Sequence, residues 1–308
     1  MNIFKTILMT AVMVLLFGCK KQNSASIHFK IKFDPLQERL NSVGFPTGIG
    51  SGNAAQSPVM NSIAINTLEL LNNSFTINGK GAILLNTPNK TYEGFDAIDF
   101  SQVKMVKEGE IFLSVPIKDI TPGKYEWLRT SIAYQNFDVK MNVLNIPFVG
   151  NLLDERGALA SFLGHNNYIT KYKVAEKEDV INGVKKQGYW RFETTFNPAF
   201  VTLNTTYTGS MPAGNITFVN PIAQSSPTLA SLSAITGRFD TPLSISGAET
   251  EDITIVMTLS TNNSFEWEES INRNGKWDIN AQANSGQPTV EKIIDVGLRS
   301  LKASISSK

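Results

Sequence analysis

The sequence predicts a mostly β protein, an antiparallel β-sandwich carrying one short helix. Three observations lead there. Apolar and polar residues alternate with period two in many short runs, turn dipeptides separate those runs, and one stretch alone carries helix signals at both ends.

Ile27-His28-Phe29-Lys30-Ile31-Lys32-Phe33 alternates without a fault, so this strand has one apolar face and one wet face that includes His28. Residues 41–61 are dense in Gly, Pro, Ser and Asn and have no period, the pattern of a binding loop or a linker. Their Gly48-Ile49-Gly50-Ser51-Gly52 lacks the spacing of a phosphate cradle, and no helical pattern follows it. Residues 63–70 read as a strand running to Asn78-Gly79, a hairpin signal. Residues 111–117 form another, with Pro116 marking a sheet edge because proline cannot donate to the ladder. Thr121-Pro122-Gly123-Lys124 suits a type II turn and feeds a strand over 125–134.

Residues 151–164 are the predicted helix. Asn151 can cap it, Asp154 and Glu155 suit the positive end, Leu152, Leu159 and Leu163 share a face, and Gly164 stops it. Strand signals resume at 168–174, with a hairpin expected at Asn182-Gly183, and continue at 187–196, 253–259, 265–268 and 293–305. Residues 220–237 read as a small-residue connection.

Met1 to Cys19 sets the expected location. Lys5 precedes an apolar run over 7–17, which is the length of a secretory leader and too short for the roughly 20 residues of a membrane span. Leu16-Phe17-Gly18-Cys19 resembles a bacterial lipobox, which implies cleavage before Cys19 and acylation of its thiol and amine. The reading divides the chain into a signal peptide (1–18), a lipid-anchored tether (19–26) and a β-sandwich region (27–308). That region is one large domain or two lobes near 27–150 and 165–308. No Asp follows Cys19, which by analogy with lipoprotein sorting implies the outer membrane, with the periplasmic face preferred over the cell surface.

Composition narrows the chemistry. The leader holds one of the 28 basic residues and no acid, so the mature chain carries basic and acidic residues in equal number. That balance argues against a nucleic-acid partner. Cys19 is the sole cysteine, so once it is acylated no disulfide, thiolate metal site or cysteine nucleophile remains. His28 and His165 are the only histidines, and neither G-x-S-x-G nor H-E-x-x-H occurs.

Ser270-Ile271-Asn272-Arg273-Asn274-Gly275-Lys276-Trp277-Asp278 resembles a calcium loop, with Asn272, Asn274 and Asp278 as candidate Ca2+ ligands and Gly275 at the sharp turn. The alternative is a hairpin on Asn274-Gly275 between strands carrying Trp267 and Trp277. Trp127, Trp190, Trp267 and Trp277 either fill the core or form a stacking platform, and Trp277, beside the turn, is the one expected to be exposed and to meet a ligand. Asp96, Asp99, Asp138, Asp154 and Glu193 are acids that folding could pair as in a glycan hydrolase.

Ile98-Asp99-Phe100, then Pro122-Gly123-Lys124-Tyr125-Glu126-Trp127-Leu128-Arg129, then Gly188-Tyr189-Trp190-Arg191-Phe192-Glu193 follow in an order that resembles MbnP-like lipoproteins, β-rich periplasmic proteins associated with copper. That family's tryptophan-rich and histidine-containing segments are not recognisable, so no copper ligand is carried over. The whole chain also resembles Bacteroidota-type outer-membrane lipoproteins, which implies no activity. The expected function is a non-catalytic envelope module binding a protein or glycan partner, with metal binding and carboxylate-based glycan hydrolysis as alternatives.

Overall fold

The computed structural model describes residues 25–306 apart from 176, 198–201, 212–215, 223–232 and 283–287. The leader, Cys19 and part of the 220–237 connection therefore lie outside the described residues.

The strands, in chain order, begin with β1 (Ser26–Asp34), β2 (Asn53–Gln56), β3 (Val59–Leu71), β4 (Ala82–Asn86), β5 (Asn89–Tyr92), β6 (Phe95–Asp99), β7 (Lys104–Val106) and β8 (Ile111–Pro116). A 3-10 turn at Ile117–Asp119 leads to β9 (Gly123–Ile146), β10 (Gly150–Phe162), β11 (Asn166–Lys173), β12 (Glu178–Lys186), β13 (Tyr189–Phe196) and β14 (Leu203–Ser210). Then come β15 (Ala234–Ile245), β16 (Ile253–Ser260), β17 (Phe265–Glu268), β18 (Trp277–Asn280), β19 (Thr289–Val290), β20 (Ile293–Asp295) and β21 (Leu301–Ser306). About 62% of the described residues are strand and 1% helix, so the fold is mostly β and sandwich-like. Among the described residues no helix is long and apolar enough to cross a membrane, which says nothing of strands.

β9 is the hub. Along one edge it pairs with β3, then with β18; along the other it pairs with β15 and then β10. The main path of the large sheet runs β14-β13-β10-β9-β15-β21-β16-β1-β8, so strands from both ends of the chain interleave. Most pairs are antiparallel, but β1–β16, β15–β21 and β9–β18 in this sheet, and β6–β11 outside it, are parallel. From Tyr134 on, β9 alternates strictly: Phe137, Val139, Met141 and Val143 face the main core, and Tyr134, Asn136, Asp138, Lys140 and Asn142 face the other way. On the inner side lies a small sheet, β2-β17-β20, whose Phe265 meets Phe137. On the outer side β12-β11-β6-β5 covers part of the face over a second core containing Tyr134, Phe162, Ile169 and Tyr172.

Several expectations hold. Ile27, Phe29 and Ile31 are buried in β1, and β8 with Pro116 ends the path as an edge strand. β3 and β4 form a hairpin through the loop containing Gly79, which takes φ +72°.

Residues 151–164 are not a helix. They form most of β10, paired with β9 and β13. Asp154 sits at φ +54°, which an α-helix does not accommodate. Leu159, Ser161 and Leu163 point into the main core while Ala158, Ala160 and Phe162 point to the second, so the strand is apolar on both faces. Such a run imitates a buried helix in sequence. Asn182-Gly183 lies inside β12, and the chain turns earlier, between Lys173 and Glu178. Trp267 and Trp277 do not flank a hairpin either, because β17 pairs with β2 and β20 and β18 pairs with β9 and β19.

Residues 41–52 are irregular but tied down. Arg39 donates to the Gly48 carbonyl, and the Gly50 N–H and Asn53 amide donate to Glu266 Oε1 at 3.0 and 2.7 Å.

Candidate functional site

The outer face of β9, β10 and β13 carries a row of polar side chains beside a concavity. Register places Asp138, Ala158 and Glu193 in one row across the three strands, with Thr206 of β14 next to Glu193. Neighbours in a row share a face, and two strand spacings put about 9.5 Å between the Asp138 and Glu193 backbones. Ala158 between them has a side chain too short to fill the gap. Exposed Arg156, Thr195 and Asn204 lie one row further out, and Thr195 Oγ1 donates to Asn204 Oδ1 at 2.8 Å.

The segment Lys173–Ala175, at the end of β11, straps this face. The Tyr134 hydroxyl donates to the Lys173 carbonyl at 3.0 Å, Asn136 Nδ2 to the Val174 carbonyl at 2.8 Å, and the Ala175 N–H to Glu193 Oε2 at 3.3 Å. Burial pushes the Tyr134 phenol up to about 12, so it stays a donor at any physiological pH. Arg191 bridges Glu193 to Asp179 of β12 at 2.8 Å each, fastening the strap's far side.

Two concavities of about 590 Å³ flank the strap and meet at Asp138, Ala158 and Ala175. One is lined by Asn61, Phe100, Met105, Lys107 and Tyr172. The other is lined by Arg156, Lys177, Glu193, Thr195, Asn204 and Thr206. Both fall in the size range of small-ligand sites. The lining cations Lys107, Lys173, Arg156 and Lys177 outnumber the carboxylates Asp138 and Glu193, and hydroxyls and amides supply both donors and acceptors.

No family model matches the chain, and neither the curated proteins nor the solved structures yield a match.

Of the acids singled out in the sequence, Asp138 and Glu193 come together and Asp154 does not. Asp154 pairs with Lys276 at 2.6 Å, and that ammonium holds its carboxyl below the usual range. Neither histidine lines either of these two concavities: His28 meets Ser114 and Asp252, and His165 is exposed after β10.

Asn272, Asn274 and Asp278 converge further along the same outer face. Asp278 is fully buried; its Oδ2 accepts from Asn272 Nδ2 at 3.1 Å and Asn274 Nδ2 at 2.9 Å, and its Oδ1 accepts from Asn142 Nδ2 at 2.8 Å. Glu291 stands behind it and accepts the N–H groups of Ser270, Ile271 and Asp278, each at 2.9 Å. Burial pushes the Glu291 carboxyl up. Among the described residues no three His, Cys, Asp or Glu side chains form a group able to hold a metal.

Trp277 is not exposed. β18 lies parallel to β9, which sends the indole into the core, perpendicular to Phe192 at 5.0 Å and to Phe265 at 5.2 Å. Trp190 and Trp267 are buried too, and only Trp127 is half-buried, beside Arg238. The four therefore form no platform.

Sequence reading missed the strap and the row. Asp138, Ala158 and Glu193 are far apart in the chain, and only the pairing register brings them side by side. The one local signal was Gly157-Ala158, small residues on opposite faces: Gly157 lies under the Phe192 ring, where a Cβ would come within 2.2 Å of Cζ.

Proposed function

We propose that the chain is a non-catalytic, lipid-anchored cell-envelope protein, tied to the outer membrane at Cys19 and facing the periplasm, whose groove beside the strap binds a glycan. The observation that carries the reading is the Asp138–Ala158–Glu193 row opening on a concavity with Arg156, Thr195 and Asn204. Carboxylates accepting from hydroxyls and a guanidinium with amides donating to ring oxygens are the chemistry of sugar recognition. A peptide would want deeper apolar pockets than Ala158 and the threonines provide.

Two carboxylates in one row also suit a glycan hydrolase, which needs a pair of acids flanking the scissile bond. Their partners favour binding instead. Both oxygens of Glu193 are taken, by Arg191 and the Ala175 N–H, and Asp138 Oδ1 accepts from Asn61 at 2.7 Å. Neither is placed as a free proton donor.

Titration of the purified protein against soluble cell-wall and plant oligosaccharides tests the reading. Exposed Arg156 pairs with no acid among the described residues, so Arg156→Ala is expected to leave stability within about 0.5 kcal/mol. It is expected to weaken binding tenfold or more, about 1.4 kcal/mol. Unchanged affinity in Arg156→Ala, or turnover of the glycan, would overturn the proposal.

Asn272, Asn274 and Asp278 do converge, but the amides meet Asp278 through their N–H groups, which speaks against the alternative of a calcium site there. Such a site requires both amides to turn their oxygens inward, since a cation takes no N–H donor. With three amides already satisfying Asp278, the melting temperature is expected to move less than about 1 °C between chelator and millimolar calcium. A calcium-dependent rise of several degrees would install the cation instead.

A further inference from the structure

We infer that the loop of residues 72–81, between β3 and β4, is a second membrane contact, laying Phe75 and Ile77 on the lipid surface to which Cys19 ties the chain. This rests on the anchoring proposed above.

Position comes first. Ala25 is buried and its carbonyl accepts the Ile117 N–H at 2.8 Å, so the chain enters the body beside the 3-10 turn. Four residues on, the Thr121 carbonyl accepts the Tyr125 hydroxyl at 2.6 Å. The 72–81 loop closes a cavity of about 310 Å³ against those same two residues, Thr121 and Tyr125. Entry point and loop thus share one end of the molecule. Six residue steps separate Cys19 from Ala25 and span at most about 20 Å when fully extended, so an acylated Cys19 holds the bilayer close to this end.

The surface of the loop suits that neighbour. Phe75 and Ile77 are 69% and 66% exposed. They are not loosely displayed, because the loop is fastened from beneath by a buried ion pair. Arg129 donates to Glu69 Oε1 at 2.9 Å and to the Ser74 carbonyl at 3.3 Å, while the Gly79 and Gly81 N–H groups donate to Glu69 Oε2 at 3.1 and 3.3 Å. A rigid base that holds two large apolar side chains in solvent fits a lipid-facing use. Lys80 and Lys118, both exposed at this end, can reach headgroup phosphates on their long stems.

Phe148, in the β9–β10 turn, is fully exposed at the opposite end, since pairing makes β1 and β9 run in the same sense across the sheet. It serves as the internal control. Acylation removes the only native thiol, so Phe75→Cys, Ile77→Cys and Phe148→Cys each offer one site for a polarity-sensitive fluorophore in the intact lipoprotein, reconstituted in phosphatidylethanolamine–phosphatidylglycerol vesicles. Labels at 75 and 77 are expected to emit to the blue of the label at 148 and to be quenched at least about twofold by brominated acyl chains, with 148 unaffected. Acylated, vesicle-bound protein with all three labels equally hydrated would overturn this inference alone. Protein with a bare Cys19 that stays off the vesicles would overturn the anchoring and this contact together.

Discussion

Glu266→Ala is expected to cost about 3–5 kcal/mol, because it removes the anion that two buried guanidinium groups share. Arg39 and Arg299 both reach Glu266 Oε2, and Oε1 is held by Gly50 and Asn53. Arg299 keeps a second partner in Asp295 at 3.2 Å, whereas Arg39 pairs with no other acid among the described residues. Burial pushes Arg299 down and Asp295 up, against the attraction between them, so this cluster has little ionic stabilisation to spare. Glu266→Gln keeps the shape and loses the charge, and is expected to fall between Ala and the parent. Chemical denaturation gives the number, and limited proteolysis gives its location, since cleavage should appear first within residues 47–53. Lys171→Ala, which breaks the exposed pair with Glu178, is the contrast and should fall within about 1 kcal/mol of the parent. A loss under about 1 kcal/mol for Glu266→Ala would show that the cluster does not hold the loop.

Trp277→Ala should be comparably severe, about 3–5 kcal/mol. The indole is fully buried, its faces and edges meet Phe192 and Phe265, and its N–H donates to the Glu291 carbonyl at 3.0 Å. Truncation leaves a cavity where the β10–β13 layer, the three-stranded sheet and β18 meet, and it orphans a carbonyl. Trp277→Phe retains most of the packing and is expected to lose less than half as much. Urea unfolding of both variants checks the ranking. A change below about 0.5 kcal/mol for Trp277→Ala is what an exposed indole would give.

The strand content was legible because β1 alternates along its length and because turn residues break the other runs; β9 was read only over 125–134, and its alternating half around Phe137, Val139, Met141 and Val143 was missed. β10 was not, since Gly157-Ala158-Leu159-Ala160-Ser161-Phe162 is apolar on both faces and period two disappears when neither face is wet. Trp277 misled for a related reason. Asn274-Gly275 next to it is a good turn signal, but whether the following strand is surface or core depends on β9, more than a hundred residues upstream. Convergence at Asp278 was half legible: the loop supplies Asn272 and Asn274 at local spacing, while Asn142 and Glu291 arrive from other strands. The groove was least legible. Asp138 and Glu193 were visible as acids, but nothing local sets a register that places both beside Ala158, or a strap across them.

Hydrogen–deuterium exchange of the whole lipoprotein, with and without a saturating oligosaccharide, tests the groove most directly. Slowed exchange confined to residues 154–158, 173–175 and 193–195 is the predicted result. Protection elsewhere, or unchanged exchange in those three segments while the sugar is bound, would contradict it.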